Sequence, residues 1–149
     1  MFKNILIPTD GSKLAANGVK AGVKLARSTG ARVTGVYVVP PWMPPIYGEA
    51  AIYYLDDTSM KSYESAMKKH ADKALGAVQA AARAAGVRCE TVTVKGSQPW
   101  EGILKAAKAK KCDAISMTTH GRGGVGGLIL GSETTRVLAH SNIPVLVTR

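Results

Sequence analysis

The chain has 149 residues, of which 46% are hydrophobic, and its 20 lysines and arginines against 10 acids give a formal charge of +10. This length and apolar content predict one domain, residues 1–149, with a substantial hydrophobic core. No apolar run reaches the ~20 residues that would span a membrane, and no signal-peptide h-region is present. Cys89 and Cys112 lack the spacing of a metal site or a disulfide framework. These features favour a soluble, cytoplasmic protein.

Strand-like runs and helical patterns alternate along the chain. Strands are predicted at 2–8, 32–39, 87–94, 113–119 and 143–148, where short apolar runs are rich in β-branched residues. Helices are predicted at 14–28, 59–85, 100–110 and 133–140, where apolar residues recur at helical spacing. Gly30 and Gly86 follow two of these helices at the position typical of a helix-ending glycine. The alternation predicts an α/β fold, an open parallel five-stranded sheet with helices on both faces.

Residues 40–58 form the irregular part of the chain. Four prolines lie in the first half of this region and exclude a helix there, and several aromatic residues follow them. Two interpretations stay open, a lid over a ligand and a surface loop whose aromatic side chains pack on the domain or on a partner.

The sequence places polar and glycine-rich segments at the predicted carboxyl ends of strands. Asp10 follows the first strand, Val38 lies near the end of the second, and a loop rich in glycine from Gly121 to Gly131 follows the fourth. Ligands of open parallel sheets bind at this edge, where the strand order reverses. Ser132 is predicted to cap the next helix, whose free N–H groups and positive dipole end favour an anion such as phosphate.

Three segments together resemble the universal stress protein family. They are Pro8-Thr9-Asp10-Gly11-Ser12, the stretch from Met117 to Arg122 with nine residues between Gly121 and Gly131-Ser132, and the closing run Ile143-Pro144-Val145-Leu146-Val147. The resemblance covers the whole chain. It implies a Rossmann-like fold of the adenine nucleotide alpha hydrolase-like type, homodimers paired through the last strand, and a role in stress response or signalling.

One branch of that family binds ATP through a Gly-x2-Gly-x9-Gly-Ser/Thr pattern, in which Thr118 here replaces the first glycine. The resemblance implies binding of ATP, ADP or AMP and allows Mg²⁺ alongside the phosphates. The residues implied to contact nucleotide are Pro8, Thr9 and Asp10 at the adenosine end, Val38 and Met117 around the base, and Gly121, Arg122, Gly131, Ser132, Glu133 and Thr134 around the phosphates. Asp10 also has a capping interpretation, and Arg122 a solvated one.

Proline cannot donate to a strand ladder, so Pro144 predicts that the last strand lies at the edge of the sheet. An apolar edge needs cover, and pairing of residues 143–148 with the same strand of a second copy supplies it. The basic residues are spread over helical segments without interleaved aromatic rings. This pattern favours solvated helix faces, and neither nucleic acid nor membrane is expected as a partner.

No acid, base and nucleophile form a recognisable catalytic set, because His120 has no nucleophile beside it in a known pattern. The leading hypothesis is a nucleotide-binding module with no catalytic residues and at most slow ATP hydrolysis. The alternative is a stress-linked interaction protein whose vestigial pocket binds no nucleotide, an interpretation suggested by Thr118 and by the aromatic residues of the irregular region.

Overall fold

The computed structural model describes residues 1–43, 57–119 and 131–149 of the chain. Strands and helices alternate in the predicted order. The elements are β1 (Asn4–Pro8), α1 (Ala15–Thr29), β2 (Arg32–Val39), α2 (Asp57–Ala84), β3 (Cys89–Lys95), α3 (Pro99–Ala109), β4 (Ala114–Thr118), α4 (Ser132–His140) and β5 (Val145–Thr148).

Within the described residues, five strands form one parallel sheet in the order β3-β2-β1-β4-β5. The predicted fold is therefore confirmed. The order reverses between β1 and β4, since β2 lies on one side of β1 and β4 on the other. As predicted, β5 is an edge strand. It begins at Val145, one residue after Pro144, whose carbonyl oxygen accepts a hydrogen bond of 2.9 Å from the Ile115 amide.

The two faces of the sheet are covered by different helices. Side chains of β1 alternate between them, with Ile5 and Ile7 packed under α1 and α2, and Leu6 packed under α3 and α4. All three side chains are fully buried. This alternation follows from the two-residue period of a strand, and it explains why β1, buried on both faces, has an unbroken apolar sequence.

Helix α1 lies close to the sheet because it presents glycine where it crosses β1 and β4. A Cβ atom at Gly22 would lie 2.6 Å from Ile7 Cδ1 and 2.9 Å from Ser116 Cβ, and one at Gly18 would lie 3.1 Å from the Met117 carbonyl carbon. The Ser116 hydroxyl completes the contact by donating a 3.2 Å hydrogen bond to the Gly18 carbonyl oxygen. Small residues thus set the distance between helix and sheet.

Helix boundaries agree with the sequence within two residues. Gly30 and Gly86 end α1 and α2 with left-handed φ values of 71° and 68°, as predicted for helix-ending glycines. The largest difference concerns α2, which begins at Asp57, so the last two residues of the predicted irregular region 40–58 are helical. Residues 57–60 include no proline, so nothing in this segment prevents the helix from beginning two residues before the predicted start.

Candidate functional site

A cavity of about 420 Å³ opens at the carboxyl ends of β1, β2 and β4. Its position is the point where the strand order reverses, the place at which open α/β sheets bind ligands. Its volume lies within the range of roughly 300–1,000 Å³ that is usual for small-molecule sites. The predicted site residues that line it are Pro8, Thr9, Asp10, Val38, Met117, Gly131, Ser132, Glu133 and Thr134.

The segment after β1 is held as a tight turn against β2. The Thr9 amide donates a 3.0 Å hydrogen bond to the Val36 carbonyl oxygen, which extends the strand pairing by one residue. The Asp10 carboxylate accepts a 2.9 Å bond from the Ser12 amide, and the Thr9 hydroxyl accepts a 3.1 Å bond from the Gly11 amide. Gly11 has a φ of +78°, which explains the glycine at this position. The turn keeps Asp10 at the cavity.

The Ser12 hydroxyl accepts a 3.1 Å hydrogen bond from the Ala15 amide, three residues further on. This is the bond expected of a capping serine. However, α1 begins at Ala15, one residue after the predicted start at residue 14, and Leu14 occupies the formal N-cap position. Asp10 and Ser12 therefore both support the turn that leads into α1, and Asp10 in addition lines the cavity.

Two contacts join the end of β4 to the start of α4. The Gly131 amide donates a 2.7 Å hydrogen bond to the Thr119 carbonyl oxygen. The buried Thr134 hydroxyl lies 2.9 Å from the Thr118 carbonyl oxygen and 3.2 Å from that of Thr119. These contacts place the amino terminus of α4 at the cavity.

The prediction that Ser132 caps α4 is wrong. The cap residue is Gly131, in an extended conformation with φ −60° and ψ 149°, and Ser132 is the first helical residue. The reason is that the Gly131 carbonyl oxygen already accepts a 3.0 Å bond from the Thr135 amide, so the helical ladder starts one residue earlier than predicted. The amides of residues 132–134 then have no acceptor within the helix, and the positive end of its dipole lies at the cavity.

Glu133 connects the two helices beside the cavity. Its Oε2 accepts a 2.8 Å hydrogen bond from the Trp100 amide in the first turn of α3, and its Oε1 lies 3.1 Å from Arg136 Nη1. Arg136 also donates a 3.1 Å bond to Gln98, and the Trp100 ring packs on His140 with centroids 4.5 Å apart. The Glu133 carboxylate is thus engaged in stabilising the amino terminus of α3, a role that the sequence analysis did not assign to it.

The apolar part of the cavity wall contains Val38 and Met117, together with residues that the sequence analysis did not select. These are Ala15, Val36, Tyr37, Pro40, Met67, Pro99 and Ile103. Val36, Tyr37 and Pro40 adjoin Val38 and were accessible from the sequence, because they flank the end of the same strand. Met67, Pro99 and Ile103 lie on helices, and only the packing of those helices brings them to the cavity.

Thr118, which replaces the first glycine of the motif, is the last residue of β4 and is buried at the cavity wall. Lys111 is the non-glycine residue of the described chain with positive φ, so Thr118 takes an ordinary backbone conformation. A β-branched residue suits a strand end of this kind. The predicted sites Gly121 and Arg122 lie outside the described residues, as do His120 and most of the irregular region.

No helix in ranges 1–43, 57–119 and 131–149 combines the length and the apolar character needed to cross a membrane. In the same ranges, no three His, Cys, Asp or Glu side chains come together as a metal-binding group.

The open parallel sheet, its cavity at the strand-order reversal and the helix amino terminus at that cavity define an α/β protein with a candidate ligand site. The universal stress protein family model matches residues 1–149. The chain therefore belongs to the universal stress protein family.

Individual relatives match along the whole chain. A universal stress protein of Thermus aquaticus is 34% identical over 149 residues, covering 100% of both chains. One of Methanocaldococcus jannaschii is 32% identical and covers 100% of this chain and 83% of its own length. The solved structure of a second M. jannaschii universal stress protein, 26% identical, has a TM-score of 0.79 and covers 99% of this chain and 96% of the other.

Two more distant structures were solved with nucleotides. A universal stress protein in complex with cAMP is 20% identical, with a TM-score of 0.68 over 99% of this chain and 97% of that one. An Archaeoglobus fulgidus universal stress protein in complex with dAMP is 18% identical, with a TM-score of 0.68 over 99% and 98%. At these identities the likeness shows the shared fold.

Proposed function

We propose that this chain is an adenine-nucleotide-binding module of the stress response that acts as a cytoplasmic homodimer and holds ATP, ADP or AMP in the cavity described above. The observation that carries the proposal is that one cavity combines the Asp10 turn, the end of β2 and the amino terminus of α4. Two proteins of the same fold have been solved with cAMP and dAMP, which supports the choice of an adenine nucleotide.

The two ends of the cavity differ in chemistry and suggest the orientation of the ligand. Val38 and Met117 lie on its apolar wall, which suits a base, and the Asp10 carboxylate is an acceptor suited to ribose hydroxyl groups. The amides of residues 132–134 and the positive end of α4 suit phosphate. Gly121 and Arg122 are proposed to complete the phosphate end, and Mg²⁺ is proposed to bind through the phosphates.

The phosphate end is tested by removing one amide. Ser132 is the first helical residue, a position where proline fits, and the extended Gly131 before it is compatible with a following proline. Ser132→Pro therefore deletes one N–H group while preserving the helix. Hydrogen bonds to charged groups contribute about 1.5–3 kcal/mol, so we expect ATP affinity to fall about tenfold or more in isothermal titration.

Ser132→Ala is the matched control, because it removes the exposed hydroxyl and keeps the amide. The control is expected to bind ATP within about threefold of the unchanged protein. Equal affinities of Ser132→Pro and the unchanged protein contradict the phosphate assignment. Absence of binding heat for ATP, ADP and AMP at millimolar concentration, with folded protein, contradicts the proposed function itself.

The alternative function, an interaction protein with an empty pocket, is favoured by one observation. Glu133 lines the cavity and brings a carboxylate to the end where phosphates are proposed to bind. Titration of Thr118→Gly with ATP separates the two functions. Binding acquired only by this variant supports the vestigial pocket, and equal binding by variant and unchanged protein supports the nucleotide-binding module.

The homodimer is proposed to form through β5. This strand lies at an edge of the sheet, and Leu146 is 39% exposed on it, so an apolar ladder is available to a second copy. Turnover is expected to be absent or slow, because the proposal assigns binding roles and no catalytic role to the cavity residues. Multiple turnovers of ATP per minute by purified protein contradict that assignment.

A further inference from the structure

Eight basic residues lie at the amino ends of strands or at the carboxyl ends of helices α1 to α3, at the edge of the sheet opposite the cavity. We call this surface the amino-edge face, because it contains the amino ends of the strands and the carboxyl ends of the helices that precede them. Its residues are Lys3, Arg27, Arg32, Arg83, Arg88, Lys108, Lys110 and Lys111. All are exposed except Lys110, which is half-buried. The sequence spreads these residues over 109 positions, and the parallel topology collects them.

Three of the cations stand at or directly before the first residue of neighbouring strands. The Val33 amide donates a 2.8 Å hydrogen bond to the Arg88 carbonyl oxygen, and the Arg32 amide donates a 3.0 Å bond to that of Lys3. The backbones of Arg88, Arg32 and Lys3 therefore follow one another across β3, β2 and β1, at the strand spacing of about 4.8 Å. Lys110 and Lys111 continue the row in front of β4.

The helix dipole accounts for part of this charge. Arg27, Arg83 and Lys108 lie in the last turns of α1, α2 and α3, where a cation is favourable. Lys3 and Arg88 lie on connections before strands and Arg32 is the first residue of one, so no helix end explains them. Their proximity costs energy unless an anion offsets it.

The acids on this face leave most of the charge uncompensated. In the described part of the chain they are Glu90 and Asp113. Glu90 accepts hydrogen bonds from Lys110 Nζ at 3.2 Å and from the Thr34 hydroxyl at 3.2 Å. The Asp113 carboxylate accepts the amides of Lys3 and Asn4 at 2.7 and 3.0 Å. Eight cations and two carboxylates leave a formal excess of six positive charges on one face of a chain whose total is +10.

The amino-edge face is rich in exposed cations and poor in apolar and aromatic side chains, which indicates the kind of polyanion that fits it. Phe2, the aromatic residue adjoining the face, is half-buried against the core, so the described residues offer no exposed ring there on which unpaired bases stack. The centre of the face consists of the charged residues themselves, whereas a protein interface centres on buried apolar side chains. A row of exposed cations suits phosphate groups, which bind through charge without a hydrophobic contribution.

We propose that the amino-edge face binds the phosphate backbone of duplex nucleic acid without reading its sequence. The sequence pattern favoured solvated helix faces over a nucleic-acid surface, and the fold changes that expectation by gathering cations that the sequence separates. The proposal does not rest on nucleotide binding, because the cavity lies at the other edge of the sheet.

The test measures binding of a fluorescent 20-base-pair duplex by anisotropy at a series of salt concentrations. We expect saturable micromolar binding at 50 mM salt, with log K falling by about 0.9 per phosphate contacted for each unit of log salt concentration. The triple variant Arg83→Gln, Arg88→Gln, Lys108→Gln is expected to bind at least tenfold more weakly and with a shallower salt slope. All three positions are exposed, and circular dichroism checks that the variant folds.

The matched control removes the same charge elsewhere, through Lys61→Gln, Lys68→Gln and Lys69→Gln on the exposed first half of α2. It is expected to bind the duplex within about threefold of the unchanged protein. Equal weakening by both triple variants overturns the proposal, because net charge rather than this face then decides binding. So does tighter binding of a glutamate-rich peptide or of phosphatidylglycerol vesicles than of the duplex, or absence of duplex binding by the unchanged protein at 50 mM salt.

Discussion

Replacement of Gly22 by alanine tests whether the close approach of α1 to the sheet is required for stability. Alanine favours a helix over glycine by about 0.5–1 kcal/mol. At Gly22, however, the added Cβ would lie 2.6 Å from Ile7 Cδ1 and 2.9 Å from Ser116 Cβ. Both neighbours are 0% exposed and are held by the sheet, so they have little room to move.

The magnitude follows from the balance of these two effects. Overpacking a core by one methyl group costs about 1–3 kcal/mol, which exceeds the gain in helix propensity. We expect Gly22→Ala to lower the free energy of unfolding by about 1–2 kcal/mol, a fall of about 2–8 °C in melting temperature for a chain of this size. Urea denaturation followed by circular dichroism measures the change.

Gly76→Ala in α2 is the matched control, because a Cβ at Gly76 meets no atom within 4 Å. The control gains helix propensity without a clash and is expected to raise the free energy of unfolding by about 0.5–1 kcal/mol. If both variants are stabilised to the same extent, the packing argument for α1 is refuted.

Three further predictions concern the cavity, the acid range and the sheet edge. A Cβ at Gly102 would lie 2.8 Å from both methyl groups of Val38, so Gly102→Ala displaces a wall residue of the cavity. We expect this variant to bind ATP several-fold more weakly in calorimetry. Unchanged affinity would argue against Val38 as a contact. Burial alone raises the pKa of Glu90, but the hydrogen bond and charge of Lys110, the Thr34 hydroxyl and Arg32 together hold this pKa below its ordinary value of 4.5. The lowered pKa stabilises the folded chain above pH 4.5, and this contribution disappears as the pH falls through the pKa of Glu90 in the folded state. The difference in the free energy of unfolding between the unchanged protein and Glu90→Gln should therefore shrink in acid. A difference that is constant from pH 7 to pH 3 contradicts this. Leu146→Asp on β5 should convert the proposed dimer to monomer in sedimentation experiments. Met60→Asp, at a similarly exposed position on α2, should leave the dimer intact. A dimer that survives both changes excludes β5 as its interface.

The fold was predictable because the spacing of apolar residues along the sequence follows the side-chain repeat of the strands and helices that bury them. The unbroken apolar run of β1 predicts a strand buried on both faces, and the Ile5, Leu6 and Ile7 side chains pack as that pattern requires. Pro144 correctly predicts an edge strand, because the missing N–H group restricts where the strand can lie. Helix starts were less predictable, as Ser132 shows, since a neighbouring glycine can take the cap position at only a small cost relative to serine.

The candidate site was predictable only in part. Residues that follow strands, such as Asp10 and Val38, were accessible because parallel strands end at one edge. Met67 and Ile103 were not, because their positions depend on how α2 and α3 pack across the sheet. The hydrogen bond between Glu133 and the Trp100 amide joins residues 33 positions apart, so no local sequence pattern predicts it. The binding role of the site residues stays a prediction.

The contacts between the end of β4 and the start of α4 have a practical consequence. Thr119 and Gly131 are joined directly by a 2.7 Å hydrogen bond, and Thr134 holds the first turn of α4 to the same strand end. Among the described residues, these bonds tie the first turn of α4 directly to the end of β4. A substitution that displaces the end of β4 is therefore expected to displace the amides of α4 as well, because the same three hydrogen bonds set the distance between strand end and helix start.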